Sequence, residues 1–213
     1  MIVITGASGG IGQAIIPLIP QEIVPLYNHT PVEGGYKIDL GNIDEVKEFS
    51  KQALSKITLV HLAALKIDEL TVFCNETNWD KVMDVNLKGN FLLTKELLNI
   101  MIRQKWGRII HVISSGLGDV GTLTYSASKF ALIGMSKVLA REYAKFGITS
   151  NVLQLGYFRT GMWNKLSDEK KVELLDEVPN KELGDTQNIV NAIEFIIKSD
   201  YVNGSIITLD GGI

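Results

Sequence analysis

The chain has 213 residues, of which 46% are hydrophobic and 21% charged, with a formal net charge of −3, a composition typical of a globular protein with a sizeable core. Because it has no basic block and no apolar run near the roughly 18 residues of a membrane helix, we expect neither a nucleic-acid nor a membrane partner. One cysteine and three histidines without ligand spacing argue against a metal site, and because no signal peptide is recognisable we expect a cytoplasmic protein.

The chain opens on a short β-branched run, Ile2–Ile4, which predicts a buried strand. The sequence Thr5-Gly6-Ala7-Ser8-Gly9-Gly10-Ile11-Gly12 follows, and a short helix is predicted over Ile11–Ile19 because prolines 17 and 20 limit it. A strand, a glycine turn and a helix start are the context in which a dinucleotide pyrophosphate binds. The spacing differs from G-x-G-x-x-G, and a glycine-rich loop without a ligand is the alternative. A nucleoside-triphosphate loop is excluded because no Gly-Lys-Ser/Thr follows.

The next crossover is too short for a helix. The second strand is predicted over Glu22–Tyr27, with Pro25 inside it, and a very short third strand over Lys37–Leu40. About nine turn-rich residues separate them, whereas a parallel crossover usually needs a dozen or more and a helix. We therefore expect a loop to replace this helix and to trim the wall beside the adenosine half of a cofactor.

The remaining segments alternate between strands and helices. Strands are predicted over Ile57–Leu62, Gly107–Ile113, Ile148–Leu155 and Ser205–Leu209, and helices over Asn42–Leu54, Asn78–Ile102, Thr122–Phe146, Glu169–Leu175 and Thr186–Lys198. This order predicts an α/β fold with a doubly wound parallel sheet (Rossmann fold) in three layers, α/β/α, shortened between strands 2 and 3. With no repeat or linker, residues 1–213 are expected to form a single domain.

Tyr125 and Lys129 lie four residues apart at the start of a predicted helix, so they share one helix face. An ammonium group near a tyrosine favours the phenolate, and we expect it to lower the tyrosine pKa toward a range useful for proton transfer. Ser114 and Ser115 end the preceding strand, where a hydroxyl can orient a carbonyl or alcohol oxygen or simply cap a turn. Asn86 lies inside a predicted helix beside Gly89, which indicates a local irregularity that exposes a carbonyl or holds a water, although a solvent-facing asparagine is the simpler interpretation.

Together these motifs resemble the short-chain dehydrogenase/reductase family over nearly the whole chain, and within it the 3-oxoacyl-carrier-protein reductases. The ending Asp210-Gly211-Gly212 resembles the usual end of the family's chains. The resemblance implies an NAD(P)(H)-dependent oxidoreductase that interconverts a carbonyl and a secondary alcohol. It also implies that Tyr125 transfers the proton, the serine orients the substrate, Lys129 holds the ribose, and Asn86 supports a water relay.

Several positions depart from the family pattern. His61-Leu62-Ala63-Ala64 stands where the family has Asn-Asn-Ala-Gly, and Leu155-Gly156 stands where it has Pro-Gly. The loop from serine to tyrosine is two or three residues short. Counting without gaps makes Ser114 the catalytic serine, whereas the Ser-Ser-x-x-Gly pattern makes it Ser115, which we favour slightly.

The resemblance also implies a set of cofactor-binding residues: Gly6, Ser8, Gly9, Gly10, Ile11, Gly12, Asn28, His29, Asp39, Leu40, Ala63, Ala64, Tyr125, Lys129, Gly156, Phe158 and Thr160. An acid at the end of the second strand would bind a ribose 2′-hydroxyl and favour NAD, but Asn28-His29 stands there. We therefore favour NADP(H) over NAD(H), although no arginine is present for a phosphate. Asp39 resembles the family's adenine-contacting aspartate, and a solvent-facing turn residue is its alternative.

The expected partner is a small-molecule carbonyl or alcohol. Residues 159–179 are predicted to form a lid, in which Met162, Trp163, Leu166 and Leu174 either line an apolar pocket or pack in the core. Through the two long helices, the resemblance implies a homodimer or homotetramer. The alternative function is a non-catalytic dinucleotide-binding sensor or scaffold on the same fold, because fold alone does not fix function.

Overall fold

The computed structural model describes residues 1–52, 54–160, 163 and 166–213. In this part of the chain seven strands form one sheet: β1 (Ile2–Thr5), β2 (Ile23–Tyr27), β3 (Tyr36–Lys37), β4 (Thr58–His61), β5 (Gly107–Ser114), β6 (Ile148–Leu155) and β7 (Ile206–Leu209). Every neighbouring pair is parallel, and the order is β3-β2-β1-β4-β5-β6-β7. The order reverses between β1 and β4, so a ligand crevice is expected at the carboxyl ends of these strands.

Helices connect the strands and cover both faces of the sheet. They are α1 (Gly10–Ile15), α2 (Ile43–Ser50), α3 (Glu76–Met83), α4 (Gly89–Gln104), α5 (Leu123–Tyr143), α6 (Asp168–Glu177) and α7 (Thr186–Lys198). The predicted helix over Asn78–Ile102 contains a π-helical turn, Asp84–Lys88, between α3 and α4. None of the described helices is long and apolar enough to cross a membrane.

The sheet has an apolar core on each face because buried strand side chains alternate between the two faces. Val3 and Leu59 pack on one face with Leu97 of α4. Ile4 packs on the other face with Ile193 of α7. Full burial of a side chain such as Leu97, which has no exposed surface, stabilises the fold by about 1.5–3 kcal/mol. The three-layer α/β/α arrangement predicted from the sequence is confirmed.

The shortening between the second and third strands is also confirmed. Residues 28–35, all of which the structure describes, form turns and bends without a helix. Pro25 pairs with Ile4 of β1, while β3 begins to pair with β2 only at Leu26. Pro25 therefore sits where β2 is an edge strand, and its missing N–H removes no ladder bond. The strand β3 ends at Lys37 because the chain turns at Asp39, whose carboxylate accepts a hydrogen bond from the Gly41 N–H at 2.9 Å.

Candidate active site

A cavity of about 1030 Å³ opens at the carboxyl ends of the strands. Most of the site residues predicted from the sequence line it: Gly6, Ser8, Gly9, Gly10, Ile11, Gly12, Asn28, His29, Asp39, Leu40, Ala63, Ala64, Ser114, Tyr125, Lys129, Gly156, Phe158 and Thr160. Two of the predicted residues, Asn86 and Ser115, are not part of its wall. The fold thus brings the glycine loop and the tyrosine–lysine pair into one space, although more than a hundred residues separate them.

The glycine loop is shaped by two positions that tolerate no side chain. Gly6 has a φ of +67°, and a Cβ there would lie 2.7 Å from the backbone of Ala63 on the neighbouring strand end. A Cβ on Gly12 would lie 2.7 Å from the carbonyl oxygens of both Gly6 and Ala7. In the described part of the chain no side chain caps the N-terminus of α1. Its first N–H groups are therefore available to an anion such as a pyrophosphate.

The wall next to the loop is formed by the residues that follow β2 and β3. Asn28, His29 and Thr30 line it from one side, and Asp39 and Leu40 line it from the other. Asp39 is both a turn residue and a cavity residue, because its Oδ1 accepts from Gly41 while the side chain borders the cavity.

Tyr125 and Lys129 project from the first turns of α5 into the opposite end of the cavity. Lys129 Nζ lies 5.8 Å from the centroid of the Tyr125 ring. The same ammonium is buried and donates a hydrogen bond to the carbonyl oxygen of Val112 at 2.9 Å. Lys66 Nζ lies 5.9 Å from the same centroid. Two ammonium groups are therefore within about 6 Å of the tyrosine ring centre.

The expected low pKa of Tyr125 is wrong for this structure. Burial, together with the carboxylate of Asp68, raises the pKa of Tyr125 to about 12. Burial also lowers the pKa of Lys129 to about 8. Burial disfavours the charged phenolate relative to the neutral phenol, and the negative charge of Asp68 acts in the same direction. At neutral pH Tyr125 is thus a phenol that can donate a proton.

The slight preference for Ser115 over Ser114 is corrected by the end of β5. Ser114 lines the cavity and its Oγ accepts a hydrogen bond from the Gly116 N–H at 3.2 Å. Ser115 is instead tied to β6, where its backbone N–H donates to the carbonyl of Leu155 at 2.8 Å. Successive side chains at a strand end point to opposite sides, so only one of the two serines can face the cavity.

Asn86 is a buried connector and does not reach the cavity. It lies in the π-helical turn, which is the local irregularity that was predicted beside Gly89. Its Oδ1 accepts from the Leu65 N–H at 2.7 Å, and its Nδ2 donates to the Leu65 carbonyl at 2.9 Å and to Ser128 Oγ at 3.0 Å. The Asn86 backbone carbonyl accepts a hydrogen bond from Asn90 Nδ2 at 2.7 Å. Asn86 therefore joins the loop after β4 to α5.

The residues that follow β6 form another part of the cavity wall. A Cβ on Gly156 would lie 2.6 Å from the Cα of Asp210, so the chain after β7 packs directly on this turn. Phe158 and Thr160 are buried at 6% and 8% exposure and are linked by a hydrogen bond from the Thr160 N–H to the Phe158 carbonyl at 2.7 Å.

A family model described as "short chain dehydrogenase" matches residues 32–171. The chain belongs to the short-chain dehydrogenase family. Nodulation protein G of Rhizobium sp. is 34% identical over 99% of this chain and 95% of its own length. The 3-oxoacyl-[acyl-carrier-protein] reductase FabG of Rickettsia bellii is 34% identical over 98% of this chain and 94% of its own length. A proposed 2-deoxy-D-gluconate 3-dehydrogenase from Agrobacterium tumefaciens, solved with bound NADP, is 28% identical with a TM-score of 0.89, over 99% of this chain and 94% of that one.

Membership of the short-chain dehydrogenase family confirms the class of activity that the motifs predicted. The chain is an oxidoreductase that uses a nicotinamide dinucleotide to interconvert a carbonyl and an alcohol. The residues present fit such a cofactor, because the two obligatory glycines and the uncapped helix leave room for a pyrophosphate in the cavity that the tyrosine–lysine pair also lines. Nothing supports the alternative of a non-catalytic sensor.

Several residues of the short-chain dehydrogenase cavity were missed by the sequence analysis. Lys66 and Asp68, which form an ion pair at 3.1 Å, line the cavity from the loop after β4. Tyr157 and Glu177 line it from the lid side, where the Tyr157 hydroxyl donates to Glu177 Oε2 at 3.1 Å. The available signal was position, since Lys66 and Asp68 lie two and four residues after Ala64.

Proposed function

We propose that this chain reduces a small-molecule carbonyl compound to an alcohol, with Tyr125 as the proton donor. The observation that carries the proposal is that Tyr125, Ser114 and Lys129 face the same cavity as the glycine loop. A bound nicotinamide dinucleotide supplies the hydride. Tyr125 gives its phenol proton to the developing alkoxide, and Ser114 Oγ hydrogen-bonds the same oxygen and orients it.

Lys129 has two tasks in this proposal. Its bond to the Val112 carbonyl fixes the ammonium near the Tyr125 ring, where the positive charge stabilises the phenolate left after proton transfer. Its remaining N–H groups are available to the ribose hydroxyls of the cofactor. With its pKa raised to about 12, Tyr125 carries its proton at neutral pH, as a proton donor must.

We propose NADPH rather than NADH as the cofactor. Asn28, His29 and Thr30 form the wall after β2, and none of them is an acid that would bind a 2′-hydroxyl. Asp39 is the nearest carboxylate of this wall by sequence, and its Oδ1 already accepts from Gly41. Fluorescence titration with NADPH and NADH tests this choice. We expect tighter binding of NADPH, and tighter binding of NADH would contradict it.

The lid side of the cavity combines apolar and polar side chains. Trp163, Leu166 and Leu174 line the cavity, as one of the two sequence interpretations proposed. Met162 lies outside the described residues. Tyr157 and Glu177 border the same space, so we propose a carbonyl substrate with an apolar part and further oxygen atoms that accept or donate hydrogen bonds.

We further propose that two copies pair through α4 and α5. Phe91 on α4 and Phe130 and Val138 on α5 are exposed by 48%, 53% and 53%. Gly134 lies between the latter two on the same helix face, and its position has open space around it. Phe130→Asp is expected to give a monomer by sedimentation, and an unchanged mass would contradict this interface. The cytoplasmic location and the single domain over residues 1–213 stay predictions.

The reaction itself is tested with NADPH that carries deuterium at the transferred position. The purified chain is incubated with a panel of 3-oxoacyl esters and hydroxyketones, and the alcohols are analysed by mass spectrometry. We expect deuterium on the carbinol carbon of at least one product. Tight NADPH binding without deuterium transfer to any member of the panel would contradict the proposed substrates.

A further inference from the structure

Two histidines lie side by side in the sheet, close to the catalytic end of the cavity but outside its wall. His61 on β4 is in register with His111 on β5. Their rings stack with centroids 5.1 Å apart and planes 2° apart. Both side chains are buried, with 1% and 0% exposure. No step of the proposed reaction uses either of them.

Polar side chains of the covering helices approach this pair. Thr94 Oγ1 on α4 lies 2.9 Å from His61 Nε2. Asn90 is buried one turn earlier on the same face of α4. Lys129 of α5 bonds the carbonyl of Val112, the residue that follows His111. We call Asn90, Thr94, His61 and His111 the polar layer.

The hydrogen bonds of the polar layer are incomplete. Among the described residues, Asn90 Oδ1, His61 Nδ1 and both ring nitrogens of His111 are buried without a protein partner. A neutral imidazole has one N–H to donate and one lone pair to satisfy, and buried groups of this kind are normally paired, often with ordered water. The parallel, stacked rings do not aim their nitrogens at one point, and the described part of the chain contains no cluster of three metal-ligating side chains.

The polar layer carries no charge of its own. Burial and the positive charge of Lys129 lower the pKa of His111 to about 3 and hold the pKa of His61 well below its usual range. The groups that face the pair from α4 are the neutral Asn90 and Thr94, and Lys129 is the cation that faces it from α5. Among the described residues Lys129 has one acceptor, the Val112 carbonyl, and its charge acts on the imidazole of His111, whose ring nitrogens have no protein partner.

We propose that the polar layer binds ordered water, and that through this water His111 positions the Lys129 ammonium beneath Tyr125. His111 is then a positioning residue, since it touches neither substrate nor cofactor. The uncharged imidazole and the amide oxygen of Asn90 orient water dipoles toward the ammonium, whereas an apolar side chain would leave the cation without them. This inference rests on the proposed role of Lys129.

A high-resolution crystal structure of the wild-type chain tests the water site directly. We expect density for at least one water within hydrogen-bond distance of a His111 ring nitrogen and of Asn90 Oδ1. A dry polar layer would overturn the proposal. This result does not depend on catalysis, so it separates the inference from the proposed function.

Variants test the effect on Lys129. His111→Leu removes the polar side chain, His111→Asn keeps one, and Ile110→Val perturbs the opposite face of the same strand. We expect His111→Leu to lower kcat about tenfold, the effect of losing one hydrogen bond to a charged group, and to move the alkaline limb of the kcat profile to lower pH because the ammonium is less stable. In His111→Asn and Ile110→Val, kcat is expected to stay within about threefold of the wild-type value, and the alkaline limb is expected to stay near its wild-type pH.

Two results would overturn the positioning role. One is an unmoved alkaline limb in a folded His111→Leu chain. The other, which remains informative if His111→Leu does not fold, is a His111→Asn chain whose limb moves although it retains a polar side chain. Lys129→Met tests the proposed role of Lys129 separately from the role of His111. Retained turnover in that variant would refute the proposed role of Lys129 itself.

Discussion

Replacement of His111 by asparagine should make the chain less sensitive to acid. Burial lowers the pKa of His111 to about 3 in the folded chain, whereas the unfolded chain has a histidine pKa of about 6.5. Between these values the unfolded state binds more protons than the folded state. The free energy of unfolding contributed by this residue is therefore fully present above about pH 6.5 and falls as the pH falls.

The size of the effect follows from the two pKa values. At pH 5 the unfolded histidine is almost fully protonated and the folded one is almost fully neutral, so wild type loses about 2 kcal/mol relative to pH 8 through this residue. His61 titrates in the same direction and is present in both proteins. The loss measured for wild type should thus exceed that for His111→Asn by about 2 kcal/mol.

Urea unfolding at pH 8 and pH 5 gives the loss of unfolding free energy for each protein, and the two losses are then compared. An effect of the substitution that is the same at both pH values cancels in this comparison. Ile110→Val is the control, because it changes the neighbouring buried residue of the same strand and removes no titratable group. Its pH-dependent loss should equal that of wild type. Equal losses in wild type and His111→Asn would refute the reasoning, since they would mean that His111 is protonated equally in both states.

Three further predictions concern the loop, the serines and the core. Gly12→Ala should weaken NADPH binding at least about tenfold by displacing the loop backbone, because the added methyl would lie 2.7 Å from two carbonyl oxygens. Gly134→Ala is the control and should bind NADPH normally, because an added methyl there meets no neighbouring atom within 4 Å. Normal binding by both variants would contradict the loop geometry. Ser114→Ala should lower kcat by about 10²-fold, whereas Ser115→Ala should stay near wild type, and the reverse order would return the role to Ser115. Leu97→Ala, at a position with no exposed surface, should lower the free energy of unfolding by about 2–5 kcal/mol in urea, and a loss below 1 kcal/mol (roughly a surface effect) would contradict its place in the core.

Local sequence signals were sufficient for the fold and for the glycine loop that lines the cavity. The β-branched run before Gly6 predicted a buried strand, and the short segment between Tyr27 and Tyr36 predicted a crossover without a helix. Both predictions were confirmed. The helix that was predicted from Asn42 begins at Ile43, with Asn42 as its N-cap, because the Asn42 Oδ1 accepts from the Asp44 N–H at 3.1 Å.

The catalytic end depends on contacts between distant segments, and there the sequence was less informative. Whether Ser114 or Ser115 faces the cavity depends on the phase of β5 relative to β6, which a two-residue motif does not determine. Asn86 was expected near the chemistry, and its amide bonds the backbone of Leu65, a cavity residue 21 positions earlier that the local sequence does not point to. The pKa of Tyr125 is set by burial and by Asp68, neither of which can be judged from the spacing to Lys129.

The proposed role of Tyr125 is tested most directly by kcat and the NADPH dissociation constant measured on wild type and Tyr125→Phe. Phenylalanine keeps the ring near Lys129 and removes only the hydroxyl group that carries the proton. We expect kcat to fall by about 10²–10⁴-fold, the usual contribution of a general acid, while the dissociation constant changes by less than about threefold. Retained turnover in a variant that binds NADPH normally would contradict the assignment of Tyr125 as the proton donor.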